Sequence, residues 1–266
     1  HFLEPLRESM QRTSLRKARL YDQYRLPYAA DAVVALLERI GPVNSVADIG
    51  AGTGQLTRLF APHCRQVIAI EPDPAMRTVA GESLAGLTSA HIVAGSAEQT
   101  SLASASIELL VIGNAFHRFP AGACDELRRV LAPQGHVALF HYVLPTPLTD
   151  MLFSKLATLE GLSSRTRTAW PRLPLSALFG HIKLESITME QEITQDWDAY
   201  FSSACSGIEA PEPGEAEYDR FAEINREVFD AFSISGSMCL NYETQVTFAM
   251  LRSGATRKKK PHHRRG

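Results

Sequence analysis

Over the first 145 positions the apolar residues alternate between two spacings. Residues 29–40 carry them at helical intervals, and Gly41-Pro42 ends that run. Ser45–Ile49 is a short continuous apolar stretch, which predicts a strand, and it runs into Gly50-Ala-Gly52-Thr-Gly54. Gln55 to Ala61 returns to helical spacing through Leu56, Leu59 and Phe60. A second strand is predicted at Val67–Ile70, ending at Glu71, and Pro74 opens the next helix, since proline suits a first turn. Strands at His91–Ala94 and Ile107–Ile112 follow. Then come a helix over Asp125–Leu131, a turn at Pro133–Gly135 and a fifth strand over His136–Tyr142. Strands and helices alternating in this way predict a parallel sheet covered on both faces. The unbroken apolar run Leu109–Ile112 fits a strand buried on both sides.

Beyond Pro145 the pattern changes. Helices are predicted at Met151–Leu162, Leu175–Phe179, Trp197–Ser206 and Tyr218–Phe232, and strands at Ile182–Ile193 and Tyr242–Leu251. The acidic, proline-rich stretch Glu209–Glu217 reads as a loop. The expected organisation is an N-terminal helical cap (1–40), a ligand-binding core (41–144), a lid with the final strands of the same domain (145–251), and a basic disordered tail (252–266).

Charge and composition narrow the function. The formal net charge of -2 hides six Lys or Arg in Arg257–Gly266; without them the balance is 21 basic against 29 acidic. A mildly acidic body offers no broad field for nucleic acid, and no nucleic-acid partner is expected. The tail reads as a disordered end or tag remnant, with a nuclear signal or anionic-surface anchor as alternatives. No apolar run is long enough for a membrane span, and no signal-peptide core is visible, so a cytoplasmic setting is expected. Cys64, Cys124, Cys205 and Cys239 form no C-x-x-C pair and read as reduced, buried thiols. His63-Cys64 and His262-His263 have no partner at ligand spacing, so no metal is expected.

The glycine loop carries the chemistry. Between a strand and a helix, glycines permit positive φ and let the backbone approach a ligand, and the helix start offers unpaired N–H groups. Alone this means a nucleotide-like ligand or a tight turn. The spacing here is G-x-G-x-G, unlike the G-x-G-x-x-G of dinucleotide folds. Asp48 stands two residues before the first glycine. Glu71, at the end of the second strand, suits two ribose hydroxyls and disfavours a 2′-phosphate; a plain strand-end charge is the alternative. Val46–Thr57 resembles motif I of the class I S-adenosylmethionine-dependent methyltransferases, and Val67–Met76 resembles motif II. Ile92–Glu98, Ile107–His117 and Leu127–Gly135 resemble the later motifs in order. Tyr21-Asp-Gln-Tyr24-Arg25 and Ala115-Phe-His-Arg-Phe119 are similar to signatures of small-molecule methyltransferases of the trans-aconitate type.

The resemblance implies an α/β, Rossmann-like, seven-stranded, mostly parallel sheet with a helical lid. It implies S-adenosyl-L-methionine as cofactor and S-adenosyl-L-homocysteine as product. Gly50, Gly52, Gly54 and Gln55 would shape the methionine and ribose site beside Asp48, with Glu71 on the ribose. Pro72, Met76, Ser96, Ala97 and Glu98 would surround adenine; Ser96 replaces the subgroup's usual aspartate, which weakens that contact. Asn114 and Ala115 would face the methionine portion, and Tyr24 and Arg25 its carboxylate, unless they only pack the N-terminal helix. His117, after the fourth strand, is the first candidate for a general base, with pocket shaping as the alternative; His141 is the second. His136 begins its strand, away from the site. Phe153, Leu156, Trp170, Trp197, Tyr200 and Phe201 are expected to line an apolar acceptor pocket, although their spacing also suits plain core. The expected activity is in-line methyl transfer to a small acceptor with some apolar surface, at an O, N or C atom. A nicotinamide-dependent oxidoreductase and a cofactor-binding fold without methyl transfer are the competing readings.

Overall fold

A computed structural model describes residues 13–159 and 173–251. The helices are α1 (Leu15–Tyr24), α2 (Ala30–Ile40), α3 (Gln55–Phe60), α4 (Pro74–Ser83), α5 (Ala123–Val130), α6 (Thr146–Leu156), α7 (Leu175–Phe179), α8 (Trp197–Cys205) and α9 (Tyr218–Phe232). The strands are β1 (Ser45–Ile49), β2 (Gln66–Glu71), β3 (Ala90–Ala94), β4 (Ile107–Gly113), β5 (Leu131–Val143), β6 (Glu185–Asp196) and β7 (Ser237–Met250). They form one seven-stranded sheet in the order β3-β2-β1-β4-β5-β7-β6. β1 to β5 run parallel, and β7 lies antiparallel between β5 and β6.

Strand parity splits the core into two layers. Val46, Leu109, Val111, Ala138 and Phe140 face α2 through Ala32, Val33 and Leu36. Ala47, Leu110, Ile112, Val137 and Leu139 face α5 and α7 through Leu127, Val130 and Leu178. Both sides of β4 are therefore dry, as its unbroken apolar run requires. Strand order reverses at β1, between β2 and β4, so loops leaving β1 and β4 open a crevice at the carboxyl edge.

Several boundaries differ from the sequence expectation. The Pro133–Gly135 turn is a bulge within β5: Ile107 pairs with Leu131 and Leu109 with His136, and Gln134 takes φ 64°. α6 begins at Thr146, not Met151, with Pro147 in its first turn, and ends at Leu156; residues 160–162 lie outside the described residues. β6 and β7 pair over twelve residues, which carries β7 back to Ser237 and β6 on to Asp196. Cys64, Cys124 and Cys205 are buried, but Cys239 is exposed, because its neighbours Met238 and Leu240 take the inward face of β7.

Candidate active site

β1 ends in the glycine loop. Gly50, Gly52 and Gly54 take φ 73°, 58° and 85°, a region that L side chains rarely occupy. The Gly50 and Ala51 amides donate to Ile70 O at 2.8 and 3.1 Å, which folds the loop over the end of β2. A Cβ on Gly50 would lie 2.9 Å from that of Ala115, so the loop packs directly on the turn after β4. Glu71 ties the arrangement together. Its Oε2 accepts from the Gly52 amide and its Oε1 from the Asp73 amide, each at 2.8 Å. Burial raises its carboxyl above the usual range, and those two amides draw it back. A carboxylate has about four acceptor directions, so this one retains capacity for hydroxyl donors.

Asp48 serves a different purpose from the one expected. It is 1% exposed, beneath the loop, and its Oδ2 accepts from the Thr57 amide at 3.1 Å and the Thr57 hydroxyl at 2.7 Å. It clamps α3 to β1. Burial pushes its carboxyl up to about 7 against the opposing Thr57 hydrogen bonds.

On the β2–β3 side, Asp73 caps α4 through the Ala75 and Met76 amides. Met76 is half-buried and Pro72 exposed. Ser96 and Gln99 exchange backbone hydrogen bonds of 3.1 Å, closing a turn that holds Ala97 and Glu98. On the β4 side, Asn114 is left-handed at φ 48° and donates its amide to Phe140 O at 2.9 Å. Arg25, just past α1, lies over the rings of Tyr21 and Tyr142, 5.3 and 5.4 Å from their centroids. Burial lifts the Tyr142 hydroxyl to about 12, and neighbouring Arg25 and Asn114 pull against it. Arg25 Nε, Asn114 Nδ2, the Tyr142 hydroxyl and Thr53 Oγ1 are buried and none has a well-aligned hydrogen-bond partner, although Arg25 and Asn114 both lie against the Tyr142 hydroxyl. Such atoms cost about 1–3 kcal/mol each, so several beside one loop mark a place built for a polar ligand.

The fold thus gathers the glycine loop, Glu71, Ala115, Asn114 and Arg25. Tyr24 and Gln55 stand to one side, on a cleft of about 400 Å³ between α1, α3, β6 and α8. His117 is exposed, in a 3-10 turn over Phe116–Arg118 after β4; Arg118 pairs with Glu209 at 3.5 Å. His141 follows Phe140 and precedes Tyr142, so parity turns it to the opposite sheet face from the Arg25 group. There it meets Gln245 Oε1 at 3.2 Å, and Gln245 donates to Glu243 at 2.8 Å. His136 pairs with Met250 at the far end of β5.

The expected apolar pocket is instead packed core. Trp197 stacks on Phe201 at 4.9 Å and meets Phe229 edge-on at 5.6 Å, and Tyr200 lies 5.5 Å from Phe229. Leu156 packs in a neighbouring layer, Phe153 is 65% exposed, and Trp170 falls outside the described residues. Sequence reasoning missed Tyr142 and Thr53. Tyr142 continues the Ala138–Phe140 face of β5, and that parity was the available signal.

Residues 47–139 match the family model of a methyltransferase domain. Over these residues the chain is similar to a methyltransferase domain. An uncharacterized methyltransferase of Mycobacterium tuberculosis is 33% identical over 120 residues, 45% of this chain and 47% of that one. The chain thus spans about half the length of this curated relative. A Methanosarcina mazei protein, named for ribosomal RNA small-subunit methylation, is 37% identical over 83 residues, 30% of each chain. Among solved structures, a proposed type II methyltransferase of Anaeromyxobacter dehalogenans superposes with TM-score 0.60 at 20% identity, over 86% of this chain and 99% of that one. The YcgJ protein of Bacillus subtilis does so with TM-score 0.53 at 19% identity, over 84% and 100%. These two share the fold of this chain.

Proposed function

We propose that this methyltransferase core uses S-adenosylmethionine to methylate a small molecule. The observation that carries this reading is the pairing of two prepared ends across one glycine loop. At one end Glu71 is fixed by two backbone amides and keeps acceptor capacity for a ribose diol. At the other, Arg25 and Asn114 hold buried donors that have no well-aligned partner and suit an amino-acid carboxylate. The acceptor at one end and the donors at the other fit the two halves of a nucleoside joined to an amino acid. The bound sulfonium supplies an already activated methyl group.

The chain's own residues then have three tasks. Glu71 and the loop amides orient the ribose half, with Met76 and the Ser96–Gln99 turn flanking the base. Arg25 and Asn114 fix the amino-acid half, and the rings of Tyr21 and Tyr142 keep Arg25 in place while excluding water. Helices α1 and α8, with β6, wall the acceptor side. Holding two reactants in line supplies as much as roughly 7–11 kcal/mol of barrier reduction. His117, exposed on the turn after β4, is our candidate for taking a proton from an incoming hydroxyl or amine; His141 lies on the opposite sheet face from the Arg25 group. The four free cysteines suit a reducing, cytoplasmic setting, and no helix among the described residues is long and apolar enough to cross a membrane.

Calorimetry with S-adenosylhomocysteine tests the reading. The wild type should bind, Glu71→Ala should bind at least about tenfold more weakly for loss of a charge-assisted contact, and His117→Ala should bind as the wild type does. Absence of wild-type binding sinks the proposal.

A further inference from the structure

We infer that the cleft between α1, α3, β6 and α8 is the acceptor subsite, and that it takes an uncharged molecule with an apolar body and a hydrogen-bonding edge. The inference rests on the methyltransferase reading above. The cleft encloses about 400 Å³, within the range of small-ligand sites. Leu59, Ile193 and Ala199 give it apolar wall, and Gln23, Gln55 and Gln195 give it amides. Gln195 is the most buried of these amides: the residue is only 5% exposed, and it lines the cleft.

The wall charges are compensated. Asp22 pairs with Arg58 at 3.0 Å and also accepts from the Ser83 hydroxyl at 2.8 Å. Arg25 stacks between Tyr21 and Tyr142 and is directed to the cofactor carboxylate. With cofactor bound, the cleft therefore presents dipoles rather than net charge. An amide both donates and accepts, so it recognises a neutral carbonyl, hydroxyl or amide; an ionic ligand would lose its hydration with no opposite charge to meet it. Tyr24 and Arg25 line the cleft, and Arg25 also touches Tyr142 beside Asn114, so the cleft and the methionine end share these side chains.

The test uses three probes of one shape: benzamide, benzoate and benzylamine. Each is titrated by saturation-transfer NMR into the full chain saturated with S-adenosylhomocysteine. Benzamide should bind in the millimolar range and more tightly than either charged probe. Gln195→Leu, which removes the amide, and Ala199→Leu, which narrows the cleft, should each weaken benzamide about tenfold while cofactor affinity stays within about twofold. Either variant suffices if the other misfolds. Three results overturn the inference: no benzamide binding, tighter binding of benzoate or benzylamine, or wild-type benzamide affinity in a variant that still binds S-adenosylhomocysteine. Failure of the wild type to bind S-adenosylhomocysteine overturns the methyltransferase reading itself, which the same titration records separately.

Discussion

Asp48 is a carboxylate in a place where ionisation is costly. Fully buried, it is pushed up to about 7, whereas in an unfolded chain it returns to the ordinary range near 3.9. The folded protein therefore binds the more protons between those values. The contribution is fully present below about pH 4 and is lost as pH rises through about 7. Asp48→Asn keeps an oxygen for the Thr57 amide and removes the titration. Urea unfolding at about pH 5 and about pH 8 should show the wild type losing stability relative to the variant by a few kcal/mol at the higher pH. An equal difference at both pH values would contradict this account. Asp48 also shows where residue-level reading stops. Its position before the first glycine suggested a ligand contact, as Glu71's position did. Burial separated the two: Glu71 lies at the crevice edge with acceptor capacity left, and Asp48 lies under the loop with Thr57.

Among the elements, α1 ties together segments far apart in the chain. Its N-cap Ser14 accepts from the Lys17 amide, and the Ser14 hydroxyl reaches Glu212 at 2.5 Å. Lys17 is 3% exposed and donates to Ala210 O at 2.5 Å and Ile208 O at 3.2 Å. Toward the core, Thr13 donates to Asp73, Arg19 meets Glu82 at 2.9 Å, and Asp22 takes Arg58. The helix thus straps the loop before α9 to the helices beside the glycine loop, with Tyr21 set 3.8 Å from a Cβ position on Gly52. Lys17→Met removes both carbonyl partners' donor while keeping the aliphatic stem. Unmet buried carbonyls cost roughly 1–3 kcal/mol. Amide exchange in α1 should accelerate, with β1 and β4 unchanged; unaltered protection of α1 would show that the latch contributes nothing. Sequence reading placed a helical cap here and quoted Tyr21, Tyr24 and Arg25. It did not foresee Lys17, because a lysine in a charged N-terminal stretch looks solvated until its carbonyl partners, more than 190 residues away, are known.

At the scale of the whole molecule, β6 and β7 complete the same sheet that carries the glycine loop. Helices α6 to α9 therefore cannot come away without exposing β5. Thr244 illustrates the interlock: fully buried on β7, its hydroxyl accepts from the Ala29 amide at the start of α2 and donates to Gln191 on β6. Unfolding in urea, followed in a Trp170→Phe background by Trp197 fluorescence and by far-UV circular dichroism, should give coincident midpoints. An earlier fluorescence transition would mean that the helical layer unfolds by itself. The sequence by itself determined the alternation of strand and helix through β5, the glycine loop and Glu71, because hydrophobic period and backbone freedom are local properties. Tertiary structure alone decided which polar groups are left without a well-aligned partner, which aromatic residues are core, which face His141 takes and where Gln195 points. Those depend on packing between segments far apart in the chain, and no local pattern encodes it.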